Sequence, residues 1–439
     1  GVERAAPARH RGPAEPMSVM IPAFYLFEVR DIYEKFNLLR KANCKVIFDL
    51  TRYLSPIIEI TTDESYIALS DLSHIRLDAP EMFDAHFTSM SGKPDLLNKG
   101  KYIYRYLATI PRISIGDTIG TDKICFYLLN TSLMLNPIHR HREELFDAQV
   151  SHKGIVLNIF RRRWDEENYH PYELDIYVEA LKSDGTKITY EELIATEIFK
   201  AFKISMTLLS TKIISPFLFH GVTDDSVIWR DFSRLDTDKI SVKPPQPHRE
   251  HASRICINAD LNMLEEITKE IAKLEYESEL KFLVEWYTKI TNANQVEESI
   301  ALTQIALEGI AFWYLVSHRK AILSTNYDNL KTGDWLRLLL TFLDIPVKIP
   351  DKLINLSKIC DDQNSNFKLS GVNDGPLAFV NTRNYIVHRS DKNLAKLRRI
   401  EQANALQEVA SLGQWYVEMI FLKLVNYQGI FHNAMIRDY

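Results

Sequence analysis

The sequence predicts an α+β domain with a mainly antiparallel sheet, followed by an all-α helical bundle. Three observations predict it. Short apolar runs separated by turn residues fill the first half of the chain. Three prolines then fall within 242–247. Beyond them, apolar residues recur at helical spacing.

Residues 1–16 (GVERAAPARHRGPAEP) are rich in Pro, Ala and Arg, lack the apolar stretch of a signal peptide and stop before Met17. They read as a leader or an expression-derived segment outside the folded domains. The α/β domain covers 17–241. A helix is expected over Asp31–Lys41, and then strands in KVIFDL, PIIEITT, YIALSDL, KYIYRYL, RISIGDTIG and KICFYLL between Lys45 and Asn130. GIVLNIFRRRW (154–164) and YELDIYVEALKSDGTKITY (172–190) continue the strands, with Asp184-Gly185 as a hairpin turn. A helix over Tyr190–Lys212 follows. VKPPQPHREHAS (242–253) reads as the linker, because proline removes backbone donors and fixes φ.

The helical domain covers 254–439. Leu280, Leu283, Val284, Tyr287 and Ile290 form one stripe; Leu302, Ile305, Ala306, Gly309, Phe312, Trp313 and Val316 form a second. DWLRLLLTFLDI (334–345) is a third helix, closed by Pro346, and 375–389 is a fourth. Leu406, Val409, Ala410, Gly413, Val417, Ile420 and Leu424 mark a fifth. Trp286, Tyr287, Trp313 and Trp415 lie on these stripes and are expected to pack.

Composition excludes several function classes. At 439 residues with 46% hydrophobic residues, the chain can bury proper cores and is not disordered. The four cysteines (Cys44, Cys125, Cys256 and Cys360) are widely spaced with no CxxC, so no zinc site is expected and a reducing cytoplasm suits them. Ile300–Val316 is the best membrane-span candidate, but Thr303, Gln304 and Glu308 are costly in lipid. HRHREELFD (139–147) has metal-ligand residue types on a charged segment and is not expected to hold a metal. GDTIG (116–120) has no Lys and no following helix, so it is no phosphate loop. The formal net charge of -5 excludes a protein coated in positive charge for nucleic acid, but it conceals segregation. Residues 260–285 hold eight acids and three lysines, whereas 376–400 hold six Lys/Arg and one Asp.

The stretch that carries chemistry is NDGPLAFVNTRNYIVHRSDKN (373–393). Asp374 suits an N-cap and Pro376 the first helical turn. On a helical wheel Phe379, Val380, Ile386 and Val387 fall within about 60° of Arg383, which places an arginine amid apolar residues. Burying a guanidinium alone is costly, so Arg383 either pairs with a buried acid or meets something anionic. Asn384 and His388 lie one turn apart on the neighbouring side, with His388 at the helix end, where the dipole favours its charged form. Arginine, asparagine and histidine together can grip a phosphate and move a proton. RNA cleavage by its own 2′-hydroxyl requires those two actions.

Arg383-Asn384-x-x-x-His388 on a late helix of a small bundle resembles the RxxxxH signature of the HEPN superfamily of metal-independent ribonucleases. ALEGIAFW (306–313) resembles the apolar helix with an embedded glutamate, here Glu308, of its large defence-associated, ApeA-like group. The bare Arg-to-His spacing also fits Arg163 and His170, but in a strand-and-turn context. The resemblance covers roughly 278–427. It implies a homodimer through the helical domain, whose facing helices build one composite site that needs no cofactor. Arg383 and Asn384 would bind the scissile phosphate, His388 would act as general acid/base, and Glu308 would orient or charge-balance them. The basic run Arg389, Lys392, Lys396, Arg398 and Arg399 would guide RNA or is a solvated helix face. The first domain would sense a trigger ligand or protein, making the whole a regulated toxin or antiviral defence effector. Two other readings stay open. One is a HEPN-like module that binds a nucleotide or partner without cutting. The other is a structural role, with Arg383 paired to Glu308 in the core. Taken singly, His388 also reads as a helix-end cap and Glu308 as the solvated edge of its helix.

Overall fold

A computed structural model describes residues 119–128, 148–161, 176–233, 261–361 and 372–429. It adds strand backbone at intervals over 24–115 and at 368–369, and Phe431 and Met435. Contacts divide the chain into two units, Gly1–Ile113 and Ser114–Tyr439. The leader 1–16, the run at 66–72, the segments 139–147 and 162–175 and the linker 242–253 lie outside the described residues.

The first unit is built from short strands: β1 (Phe24–Val29), β2 (Asp31–Tyr33), β3 (Asn43–Phe48), β4 (Ile57–Thr62), β5 (Ile75–Asp78), β6 (Phe83–Ala85), β7 (Ser89–Leu97) and β8 (Lys101–Thr109). Five of them form an antiparallel sheet in the order β1-β3-β4-β8-β7. The helix expected at Asp31–Lys41 is corrected at its start: β2 pairs antiparallel with β5, Ile32 opposite Leu77. Sheet pairing there overrides a weak local helical pattern.

The second unit holds the rest. After β9 (Arg112–Ile115) come β10 (Lys123–Leu128), β11 (Ala148–His152), β12 (Ile155–Arg161), β13 (Ile176–Lys182), β14 (Pro216–Thr223) and β15 (Ser226–Ser233). The strands from β10 on form the antiparallel order β11-β12-β13-β10-β14-β15. Tight two-residue turns close two of its hairpins, with positive φ at Lys153 and Gly154 and again at Asp224 and Asp225. Asp184-Gly185 does form a turn, with Gly185 at φ 74, but no hairpin follows it. Ile188 bridges Thr121 instead, and the next residue, Thr189, caps a helix.

That region is two helices rather than one: α1 (Tyr190–Ala195) and α2 (Glu197–Ser210). Thr196 ends the first and its hydroxyl accepts from the Phe199 N–H, starting the second. α2 is buried along most of its length. Phe199 and Phe202 pack edge-on against Phe126 of the sheet, and its other side meets α3 (Leu261–Ala272) and α4 (Glu277–Thr291). One apolar core therefore runs from the sheet into the helices of this unit. Cys125 and Cys360 are buried cysteines, and burial pushes the Cys125 thiol up to about 12.

The remaining helices are α5 (Val296–Phe312), continued by a π-helical stretch at Trp313–His318, α6 (Ser324–Tyr327), α7 (Thr332–Phe342), α8 (Ile354–Asp361), α9 (Gly375–Val387), α10 (Asp391–Gln402) and α11 (Leu406–Leu424). The stripes expected on α4 and α11 are buried. The stripe expected on α5 is not: Ile305 is 43% and Phe312 40% exposed. The buried face carries Ile300, Thr303, Gln304, Leu307, Ile310 and Ala311. α5 is apolar nearly all round, so periodicity could not choose between its faces. Its buried polar residues bond locally, Thr303 donating to the Ser299 carbonyl at 2.7 Å. Val296–His318, 23 residues of mean hydropathy 1.5, is long and apolar enough to cross a bilayer, yet 56% of its most apolar stretch is buried by the fold. It is a core helix, packed against α4, α7, α9 and α11.

Candidate functional site

Asp374 starts α9 as expected: its carboxylate accepts from the Leu377 N–H at 2.8 Å, with Pro376 in the first turn. It also accepts from Arg337 Nε of α7 at 2.9 Å, and Arg337 Nη1 donates to Asp334 at 2.8 Å. The Asp374 side chain is 6% exposed and that of Arg337 19%, so this is a nearly buried, charge-assisted anchor. The sequence reading identified Asp374 as a cap and missed Arg337. Only the Asp334-to-Arg337 spacing, one helical turn, hinted at it.

α9 is surrounded by α5, α7, α10 and α11, so its burial is not a single stripe. Ala378, Phe379 and Thr382 are fully buried, and the Thr382 hydroxyl donates to the Ala378 carbonyl. Val387 is 47% exposed. Arg383 is therefore not at the centre of an apolar face, as the wheel predicts, but at its partly buried margin.

Arg383 has one polar side-chain contact, to its neighbour Asn384. Its Nη1 donates to Asn384 Oδ1 at 3.2 Å, while its Nε is buried with no partner. The Asn384 carbonyl accepts from the His388 N–H at 2.9 Å, and His388 ends the helix with its side chain exposed. The His388 carbonyl in turn accepts from Asn393 Nδ2 at 2.6 Å, and Ser390 caps α10. Arg383, Asn384 and His388 thus follow one another at the C-terminal end of α9, which Asn393 pins to the next helix. Of the basic run, Arg389, Lys392, Arg398 and Arg399 are exposed. Lys396 is half-buried, its Nζ 4.9 Å from the Tyr385 ring centroid.

Glu308 does not join them: no ion pair links it to Arg383. Its carboxylate accepts from Nε2 of the buried Gln304 at 2.8 Å. It lines an open groove of about 490 Å³ with Gly309, Phe312, Tyr327, Asp328 and Trp335. A Cβ at Gly309 would meet the tip of the exposed Phe282 ring of α4 at 2.8 Å, so that ring would have to shift to admit one. The structural alternative of an Arg383–Glu308 core pair is thereby corrected: Gln304 takes the place of arginine as partner. The sequence reading missed this groove because its wall, Phe312 with Gly309, was assigned to the core.

Residues 273–438, which include α4 to α11, match the YopA C-terminal domain family. A 156-residue stretch is 28% identical to the SPbeta prophage-derived uncharacterized protein YopA of Bacillus subtilis (strain 168). The match covers 35% of this chain and 31% of that relative's length, so the chain spans under a third of the curated relative it matches. No solved structure matches.

Proposed function

We propose that the chain is a metal-independent endoribonuclease of the HEPN type, acting as a homodimer in the cytoplasm. The observation that carries this reading is Arg383. Its guanidinium has a buried Nε without a partner and is bound by Asn384, and no described carboxylate neutralises it. A phosphate supplies the missing acceptor and charge. Arg383 and Asn384 then hold the scissile phosphate, and His388, exposed one turn on, moves the protons. In-line attack by the 2′-hydroxyl on phosphorus breaks the bond to the 5′-oxygen, leaving a 2′,3′-cyclic phosphate and a 5′-hydroxyl. A base must take the 2′-hydroxyl proton and an acid must give one to the leaving oxygen. One protomer offers a single histidine on this turn, so two α9 helices facing across a two-fold supply both. Arg389, Lys392, Lys396, Arg398 and Arg399 steer the RNA backbone, and the α/β region over 17–241 senses the trigger.

The test incubates the full chain with single-stranded RNA in EDTA and identifies the ends formed. Cyclic phosphate ends, lost in Arg383→Ala and His388→Ala proteins that retain the wild-type circular dichroism, are expected. Cleavage that requires a divalent ion, or a His388→Ala protein cutting at the wild-type rate, contradicts the assignment. RNA left intact under every condition, with Arg383-dependent nucleotide binding, would establish the non-cutting module instead.

A further inference from the structure

We infer that the groove between the C-terminal half of α5 and the α6–α7 connection binds an organic cation, a guanidinium or an alkylated ammonium. This stands independently of the RNA reading. Two aromatic rings form its corner: Phe312 and Tyr327 lie edge to face, centroids 5.3 Å apart at 84°. Trp335 backs the Tyr327 ring at 6.5 Å in a stacked arrangement that holds it in place. In such a pair one ring's edge covers a face of the other, and a cation within about 6 Å of a face left open to the groove is attracted by its quadrupole.

The charge at the rim agrees. Glu308 and Asp328 both line the groove, and among the described residues neither makes an ion pair. Lys331, three residues from Asp328, makes none with it. Burial first, then the Glu308 and Asp328 carboxylates, push the Tyr327 hydroxyl upward, so both acids act on the same ring. Gln304 is fully buried, fixes Glu308 through its Nε2, and leaves its own Oε1 without a partner. Glu308 is itself exposed, so Gln304 holds the carboxylate from its buried side while the rest of it faces the groove and solvent.

Other ligand classes fit less well. Anions are repelled by two carboxylates. A hard divalent cation wants six or more oxygens, and three of the seven residues lining this groove are aromatic. A neutral apolar ligand leaves the carboxylates uncompensated. At about 490 Å³ the groove is within the ordinary range for small-ligand sites.

The test is calorimetric titration of the full chain with choline, methylguanidine, and choline's neutral isostere 3,3-dimethylbutan-1-ol. A short arginine peptide and its citrulline counterpart distinguish a protein side chain from a free metabolite as the source. Both cations should bind and the isostere should not. Glu308→Gln, Asp328→Asn and Phe312→Leu should each weaken binding about tenfold. Asp328 and Phe312 are exposed, so their variants remain informative should Glu308→Gln misfold. Equal binding of the isostere, unchanged affinity in the folded variants, or no binding of any cation at about 10 mM overturns the inference.

Discussion

Two arginines meet helix α9 in opposite ways. At its N-terminal end Arg337 bonds two carboxylates, Asp374 and Asp334, and fastens α7 to the helix cap. Toward its C-terminal end Arg383 has only a neutral carboxamide for a partner; each arginine keeps one buried donor unpaired, Nη2 of Arg337 and Nε of Arg383, so the contrast lies in the acids. A guanidinium that neutralises acids contributes to the fold. One held half-buried without an acid costs stability, and sites that tolerate such a cost are candidates for ligand chemistry. The same helix thus carries a structural end and a chemical end.

The largest effect expected on stability is at the structural end. Asp374→Ala removes both the cap and the more buried of the two carboxylate partners of Arg337, leaving Asp334 alone to neutralise it. It should lower the free energy of unfolding by about 2–4 kcal/mol in urea denaturation. A loss below about 1 kcal/mol would erase the contrast between the two arginines. Arg383→Leu comes next: removing an unpaired donor at a partly buried margin should move stability by less than about 1 kcal/mol in either direction. A loss as large as that of Asp374→Ala would make Arg383 structural.

Tyr416 should show the smallest effect. Its hydroxyl is fully buried beside the Asp374–Arg337 pair and has no hydrogen-bond partner. Burial, then the Asp374 charge, raises it well above its ordinary 10. A folded-state value raised above the unfolded one means that its contribution to stability is fully present below pH 10. That contribution is lost as pH climbs beyond 10. Tyr416→Phe should change stability at neutral pH by less than about 1 kcal/mol and flatten the alkaline limb. An alkaline limb unchanged by this substitution would contradict the role given to burial.

How much of this was legible in the sequence follows from what each signal encodes. Strands such as β3, β4, β8, β10 and β12 were readable because β-branched and aromatic runs between turn residues have few alternatives. The cap and first turn of α9 were readable for the same local reason: Asp374 and Pro376 act through side-chain-to-backbone effects. What was not legible depends on which neighbours surround a helix. α5 is apolar on every side, so its outward face was mistaken for its inward one, and the groove at Phe312 and Glu308 was hidden by that choice. Arg383 was placed on an apolar centre because a wheel assumes a single buried face, and α9 has four helices around it. The Arg337–Asp374 pair joins residues 37 positions apart, a contact no local pattern announces.

The central claim is that the C-terminal turn of α9 does chemistry that its N-terminal anchor does not. It is tested most directly by measuring RNA cleavage in EDTA and the urea midpoint on the same preparation of His388→Ala protein. The account predicts a midpoint matching wild type and cleavage slowed at least about 100-fold. Cleavage at the wild-type rate with the fold intact would contradict it.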